Sequence, residues 1–467
     1  MLAKVMCSKN PEVGTLFAQF ITKVFLIQRI FRVLRNSFFQ NKRPEGNIRT
    51  TSILSTNIQL LCYSNSGQQS KNRNSPYCKP IIYGIYSPYQ FAIRHEIQEE
   101  KIMPFEIGTF SVTLFALPQD LPENYIDLLN ANRAGCIDLV KDEPEIGWAS
   151  GRCLLDSKIE QSTVLWNNLI YISLRKAERK IPSSMLKAWC QQAELVWMRS
   201  NGRSNVPSKQ KKQIKAEVIE KNQVSVPPTL SSIPAVIDRT NHMLYLGASS
   251  SAQIDLFIEY FIKTFQFEPV QINPDYYSEM EFGKHADELP VIEFSVRADG
   301  ETVPGRDFLT WLWYFSEQET GGMLEVPEVG ECTFTIEGPL TFALAGEADG
   351  AAENTLKNGN SPLRAAEAKA ALSVGKKLKK AKFYLEHEEK VWQGMFDADT
   401  FSFGGMKLPE GEEMEPDDRL EERMEHMNTF RLALAAFFKK FVETLLSSDW
   451  ESEERKIREW VVERDER

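Results

Sequence analysis

Five histidines, His95, His242, His285, His387 and His426, are scattered along this 467-residue chain, and none forms the HExxH pair that sets two imidazoles on one helix face around zinc. His387 sits in Glu386-His387-Glu388-Glu389, which reads as a solvated strand or turn. Gly375-Lys376-Lys377 has a lysine after a glycine but lacks the upstream glycine of a phosphate loop, and there is no GxSxG elbow for a nucleophilic serine. Seven cysteines contain no CxxC pair. An odd, unpaired set reads as free thiols in a reducing cytoplasm, not as a disulfide frame or zinc ribbon. Carboxylates are abundant, and two or three could meet around Mg²⁺ as in a nuclease, but no motif selects them. The expectation is therefore a protein that is not an enzyme and needs no cofactor, with a metal-dependent nuclease as the enzymatic alternative.

Charge is the stronger signal. The chain carries 55 Lys/Arg and 65 Asp/Glu, a net of -10, which disfavours a protein coated in positive charge but not one with a local basic surface. Residues 175–221 hold twelve Lys/Arg against four Asp/Glu, and Lys376, Lys377, Lys379, Lys380 and Lys382 place five lysines in seven residues. Between 410 and 425 lie nine Asp/Glu against two arginines. Segregation of this kind suggests a positive working surface and an acidic exterior, the plain alternative being solvated helix faces with no partner. Basic residues without a catalytic constellation suit a nucleic-acid duplex, whose phosphates Lys and Arg neutralise without reading sequence. Trp189 and Trp197 fall on an apolar helical face and read as core, not as stacking platforms for single strands.

The elements that would carry these residues follow from periodicity. Phe110–Leu117 alternates as a strand, and Pro122–Arg133 has helical spacing. A strand from Leu169 runs into the charged Arg175–Lys180. Pro182-Ser183-Ser184 then starts a helix with Met185, Leu186, Trp189, Ala193, Val196 and Trp197 on a buried face, and Asn201-Gly202 stops it. Pro207-Ser208 opens another helix, on which Lys211, Lys212 and Lys215 share an arc. Ala235–Ile237 and Met243–Leu246 read as a hairpin, and Ser249–Ser251 caps a helix with an apolar stripe from Ile254 to Phe265. Further on come an aromatic helix over Pro304–Glu319, strands over Cys332–Leu344 and a Gly/Asn-rich loop over Gly346–Pro362. A helix over Ala365–Val374, strands over Ala381–Phe403 and a last helix over Asp418–Leu446 complete the pattern. No stretch approaches the ~18 apolar residues of a membrane span.

The class is α+β, with repeated strand and helix units and a lysine-rich helical projection. Residues 1–102 form a basic, poorly ordered extension, with Leu16–Phe39 as a possible basic amphipathic helix; the composition break at Met103 suggests the working start. Residues 103–272 form one α+β region with basic helices, 273–300 a linker, and 301–467 a second α+β region ending in a long helix.

From about Met103 to the C-terminus the chain resembles the bacterial recombination-associated RdgC family. The resemblance rests on the order of Phe110–Leu117, Ile146-Gly147-Trp148, the strand into Arg175–Lys180, Ile181-Pro182-Ser183-Ser184-Met185-Leu186-Lys187, the lysine-rich helix, and Val236-Ile237-Asp238-Arg239-Thr240-Asn241. Gly305-Arg306-Asp307-Phe308-Leu309-Thr310-Trp311-Leu312-Trp313-Tyr314, with Ser316-Glu317 and Gly375-Lys376-Lys377, looks like the longer branch of that family. The resemblance implies a homodimer closing into a ring with a positively lined hole. Such a protein binds double-stranded DNA with little sequence preference, restrains the RecA recombinase by occupying or encircling the duplex, and acts in the cytoplasm at the nucleoid. Carried over, Arg175, Lys176, Arg179, Lys180, Lys211, Lys212 and Lys215 are candidates for that lining, with Lys376, Lys377, Lys379 and Lys380 as further candidates. The chain departs from shorter members at Pro227-Pro228, where a large apolar residue is expected at a ring contact. A protein-interaction scaffold that does not bind DNA is the remaining alternative.

Overall fold

The computed structural model describes residues 105–140, 143–292, 303–345, 352–357, 362–411 and 415–462. The expectations for residues 1–102 lie outside them. The described chain is a mixture of helix and antiparallel sheet, as the α+β class requires.

Thirteen strands are found among the described residues. The first half supplies β1 (Phe110–Ala116), β2 (Glu145–Ser150), β3 (Leu165–Trp166), β4 (Leu169–Glu178), β5 (Thr229–Asp238), β6 (Met243–Leu246) and β7 (Val270–Gln271). The second half supplies β8 (Met323–Val326), β9 (Gly330–Ala343), β10 (Glu353–Leu356), β11 (Lys377–His387), β12 (Lys390–Asp397) and β13 (Ser402–Lys407). They form one sheet, ten of them in the order β10-β9-β11-β12-β13-β1-β6-β5-β4-β2, with β3 paired to β4, β7 to β1 and β8 to β9. The two halves meet at β1, where Phe110 pairs with Met406 on one edge and Ala116 with Met243 on the other.

Ten helices of α type are found among the described residues: α1 (Tyr125–Ala131), α2 (Gln161–Val164), α3 (Ser183–Asn201), α4 (Ser208–Gln223), α5 (Ser251–Phe265), α6 (Pro274–Phe282), α7 (Pro304–Ser316), α8 (Ala366–Ser373), α9 (Pro416–Leu445) and α10 (Trp450–Val462). Strands β4 and β5 explain why helices cover both faces of the first half. Ile170, Ile172 and Leu174 face one apolar cluster with Phe257 and Phe261 of α5, while Leu169, Tyr171 and Val236 face the other. A strand buried on both sides reads as an unbroken apolar run, which is what Leu169–Leu174 shows.

Two motifs are explained by packing. In Ile146-Gly147-Trp148, a Cβ on Gly147 would stand 2.5 Å from the Ala134 nitrogen, so only glycine lets residues 132–134 lie against β2. Trp148 donates its indole N–H to Thr264 Oγ1 at 2.8 Å and meets Phe257 edge to face. In the Gly305–Tyr314 motif, a Cβ on Gly305 would stand 2.1 Å from the Ala398 carbonyl oxygen, and Arg306 grips Asp399 through Nε at 2.6 Å and Nη2 at 2.8 Å. Phe308, Leu309, Trp311, Leu312 and Trp313 of the same helix enter the large cluster beneath the second half, with Phe437, Phe438 and Phe441 of α9.

Four expectations change. The linker at 273–300 is folded over its described part: Asn273 caps α6, and Tyr277, Ala286, Leu289 and Ile292 are buried in the main core. The Gly/Asn-rich loop contains β10, which pairs with β9 from Glu353 opposite Ala343 to Leu356 opposite Leu340. The chain does not finish at the Asp418–Leu446 helix, because α10 follows it. Its high charge hid the apolar face of Ile457, Trp460 and Val461, which is buried. The fourth change concerns α3 and its tryptophans.

Candidate nucleic-acid interface

The basic segment 175–221 folds as the end of β4, then α3 and α4. Pro182, at φ -54°, leads into α3, and Gly202, at φ 59°, closes it in the left-handed conformation that glycine adopts without strain. Pro207 leads into α4. The helical pair is inserted between β4 and β5, whose ladder ends at Glu178 opposite Thr229. It has its own small core: Val206, Ile214 and Val218, packed against the half-buried Leu186, Trp189, Cys190, Ala193, Trp197 and Met198.

No residue of α3 is fully buried. Met185 is 45 % exposed and Val196 56 % exposed, so the face expected to be core is only half covered. Trp189 and Trp197 line an open groove of about 590 Å³ with Val196, Ile214 and Val218. The periodicity correctly marks an apolar face, but α4 alone is too narrow to cover it.

The candidate residues separate into three kinds of environment. Lys180, Lys212 and Lys215 are exposed and make no ion pair among the described residues. Lys211 is exposed and stands 3.8 Å from Glu194 on α3; Lys176 is half-buried and pairs with Glu178 at 3.1 Å. These five present ammonium groups at or near the surface. Lys187 and Arg199 on α3, Arg203 in the connection and Lys209 on α4 are exposed and belong with them. Their sequence signal was membership of the same +8 segment.

The two arginines do different work. Arg175 is 1 % exposed. Its Nη1 donates to the Leu154 carbonyl at 3.0 Å, its Nη2 donates to the Gly135 carbonyl, and Nη2 lies 3.2 Å from Glu145 Oε2. Arg179, half-buried, directs its donors to the carbonyls of Val140 (2.6 Å), Val224 (3.1 Å), Val226 (2.5 Å) and Asp138 (3.4 Å). A guanidinium engaged in this way serves the main chain, so Arg175 and Arg179 leave the set of phosphate contacts. Charge alone could not separate them from Lys180; for Arg175 the signal is its place in the apolar run of β4, which faces core on both sides, whereas Arg179 directly follows the strand and carries no such signal.

The second lysine cluster sits on β11 and is compensated. Lys377 is 5 % exposed and pairs with the buried Asp307, whose carboxyl burial pushes up to about 6 against the pull of that ammonium. Lys376 is buried and donates to the Asn354 side chain. Lys379 lies 3.0 Å from Glu353 and 3.5 Å from Asp399, and Lys380 lies 2.6 Å from Asp397. Three of the five lysines, Lys377, Lys379 and Lys380, thus face acids, while Lys376 meets an amide and Lys382 donates to the Tyr384 hydroxyl; the buried Lys376 and Lys377 are also removed from the contact set. The structure does not bring this cluster into the α3–α4 surface: β11 lies six places from β4 in the sheet order given above.

Among the described residues, no three His, Cys, Asp or Glu side chains gather as a metal-holding group. No described helix is long and apolar enough to cross a membrane.

A family model described as "Putative exonuclease, RdgC" matches residues 129–281. Over this stretch, about a third of the chain, the sequence is similar to the RdgC family. The RdgC match opens at Leu129 in α1 and closes at Glu281 in α6, so it takes in β2 to β7 and the entire basic helical pair. The resemblance stated from the sequence is upheld there. The Gly305–Tyr314 motif and the β11 lysines lie beyond the matched residues. No curated protein matches the chain.

Proposed function

We propose that the protein binds double-stranded DNA through phosphate contacts made by the α3–α4 pair, and acts in recombination. The observation that carries this reading is the exposed, uncompensated Lys212 and Lys215 on α4, with Lys180 in the connection leading into α3, all inside the residues matched by the RdgC family model. The recombination role rests on the family match, and the remainder on charge and exposure. Lysine on a helix surface meets phosphate without reading base edges, so binding is independent of sequence and steep in salt. Restraint of RecA follows by occupancy, because a protein lying along or around the duplex denies it to a recombinase. A homodimer that closes into a ring at the nucleoid is the arrangement the family resemblance implies.

Fluorescence anisotropy on a random-sequence duplex over a salt series tests this reading. Tight binding that weakens steeply with salt, and less steeply after Lys212→Ala and Lys215→Ala, supports it. Absence of binding at low salt refutes it and favours the scaffold alternative. The same duplex incubated with Mg²⁺ tests the exonuclease in the family's description: progressive loss of labelled strand would replace binding by hydrolysis as the function.

A further inference from the structure

Arg179 stands where three pieces of chain meet: the end of β4, which it directly follows, the exit of α4 at Val224–Val226, and the segment Asp138–Val140 at the end of a short 3-10 turn, Ile137–Leu139. Its one planar guanidinium reaches four carbonyls in two of those pieces, and its own carbonyl accepts from Gln223 Nε2 at 3.4 Å. The helical pair otherwise packs mainly on itself, with an apolar cluster separate from both main cores. Its attitude relative to the sheet therefore depends on the connections at its root, and the guanidinium is the group that crosslinks them.

We propose that Arg179 is a positioning residue that sets the attitude of the basic helical pair, so that its lysines engage several phosphates at once. The DNA part rests on the function proposed above; the clamp itself does not. A rigid fork of five donors addresses several carbonyls in fixed directions, whereas an ammonium carries the same charge as a single point donor. Arg179→Lys thus keeps the charge and loses the clamp, and Arg179→Gln loses both.

The experiment uses the full chain in these two variants. Amide hydrogen exchange, followed by mass spectrometry, reads residues 137–140 and 222–226 in the absence of DNA. Both variants are expected to exchange about ten-fold faster in both segments, the size set by losing a charge-assisted hydrogen bond, with β5 and β6 unchanged. Duplex affinity should fall about ten-fold in both. In Arg179→Lys the salt slope should drop by roughly two or more, beyond the ~0.9 of one phosphate contact, although no charge was removed. A role in stability alone would leave that slope where it was.

Unchanged exchange in both segments overturns the clamp. An Arg179→Lys variant that binds with wild-type affinity and slope, beside a weakened Arg179→Gln, overturns positioning and makes Arg179 a direct phosphate contact. If the wild-type chain fails to bind duplex, the proposed function fails with it, and the exchange data alone then uphold or reject the clamp.

Discussion

Arg175 Nη2 lies 3.2 Å from Glu145 Oε2 across the β4–β2 ladder, with the arginine 1 % exposed and the carboxylate 29 % exposed. The guanidinium also ties the carbonyls of Gly135 and Leu154, so it joins the loops on either side of β2. Truncating one member of a buried charged pair strands the other groups. Arg175→Ala is expected to lower unfolding free energy by about 3 kcal/mol. Urea denaturation checks this, and duplex affinity per folded molecule should be unaffected; a specific loss of affinity with stability retained would return Arg175 to the contact set.

Lys212 and Lys215 should behave in the opposite way. Their replacement by alanine should leave stability within about 0.5 kcal/mol, as is usual at exposed positions. The slope of log affinity against log salt should become shallower by roughly 0.9 for each phosphate contact removed. Lys379→Ala and Lys380→Ala serve as the comparison, since both ammonium groups already face carboxylates, and little change in slope is expected from them.

His426 predicts an acid-side loss of stability. It is 5 % exposed, and burial, then the nearby Lys390 and Arg423, push its imidazole down from 6.5 to about 4. The folded state binds this proton more weakly than the unfolded one. Its stabilising effect is complete above pH 6.5 and is lost as pH falls through 4. Across that window wild type should lose about 3 kcal/mol of unfolding free energy relative to His426→Leu. Asp307, raised to about 6 by burial, has the reverse sign: its contribution is fullest below about pH 4 and is lost as pH rises through 6, so Asp307→Asn should remove a change in the other direction.

Thiol accessibility offers a check on the burial pattern. Cys136 and Cys153 are exposed, while Cys332 is buried in β9 with its thiol pushed up to about 11 by burial and by Glu325. Site-resolved alkylation of the native protein at pH 8 should modify Cys136 and Cys153 at least ~100-fold faster than Cys332. Comparable rates at all three would mean that β9 opens readily.

Much of the fold was legible because its signals are local. Proline and glycine punctuate α3 at Pro182 and Gly202, and the stripe from Ile254 to Phe265 reports α5 directly. What escaped depends on distant partners. Segment 273–292 looked like a linker because Tyr277, Ala286, Leu289 and Ile292 are spaced by turns, and only the opposite wall of the core shows that they are buried. The site divides in the same way. A run of basic residues marks the α3–α4 surface, yet no local pattern distinguishes Lys215, which faces solvent, from Lys377, whose acid partner is 70 positions away at Asp307.

The place of β1 in the sheet bears on how the chain reaches this structure. Thr113 is opposite Leu246 on one side and Ser402 on the other, a separation of almost three hundred residues for the second pairing. One edge of β1 can therefore zip onto β6 early in synthesis, while the other, which β7 covers only at Phe115 and Ala116, stays open from Phe110 to Thr113 until β13 has left the ribosome. Long-range closure of this kind is slow, and an unpaired edge in the middle of a half-built sheet invites the wrong partner. Nascent chains stalled before residue 402 should be the aggregation-prone species, and the second half of this protein acts as the cover for the first.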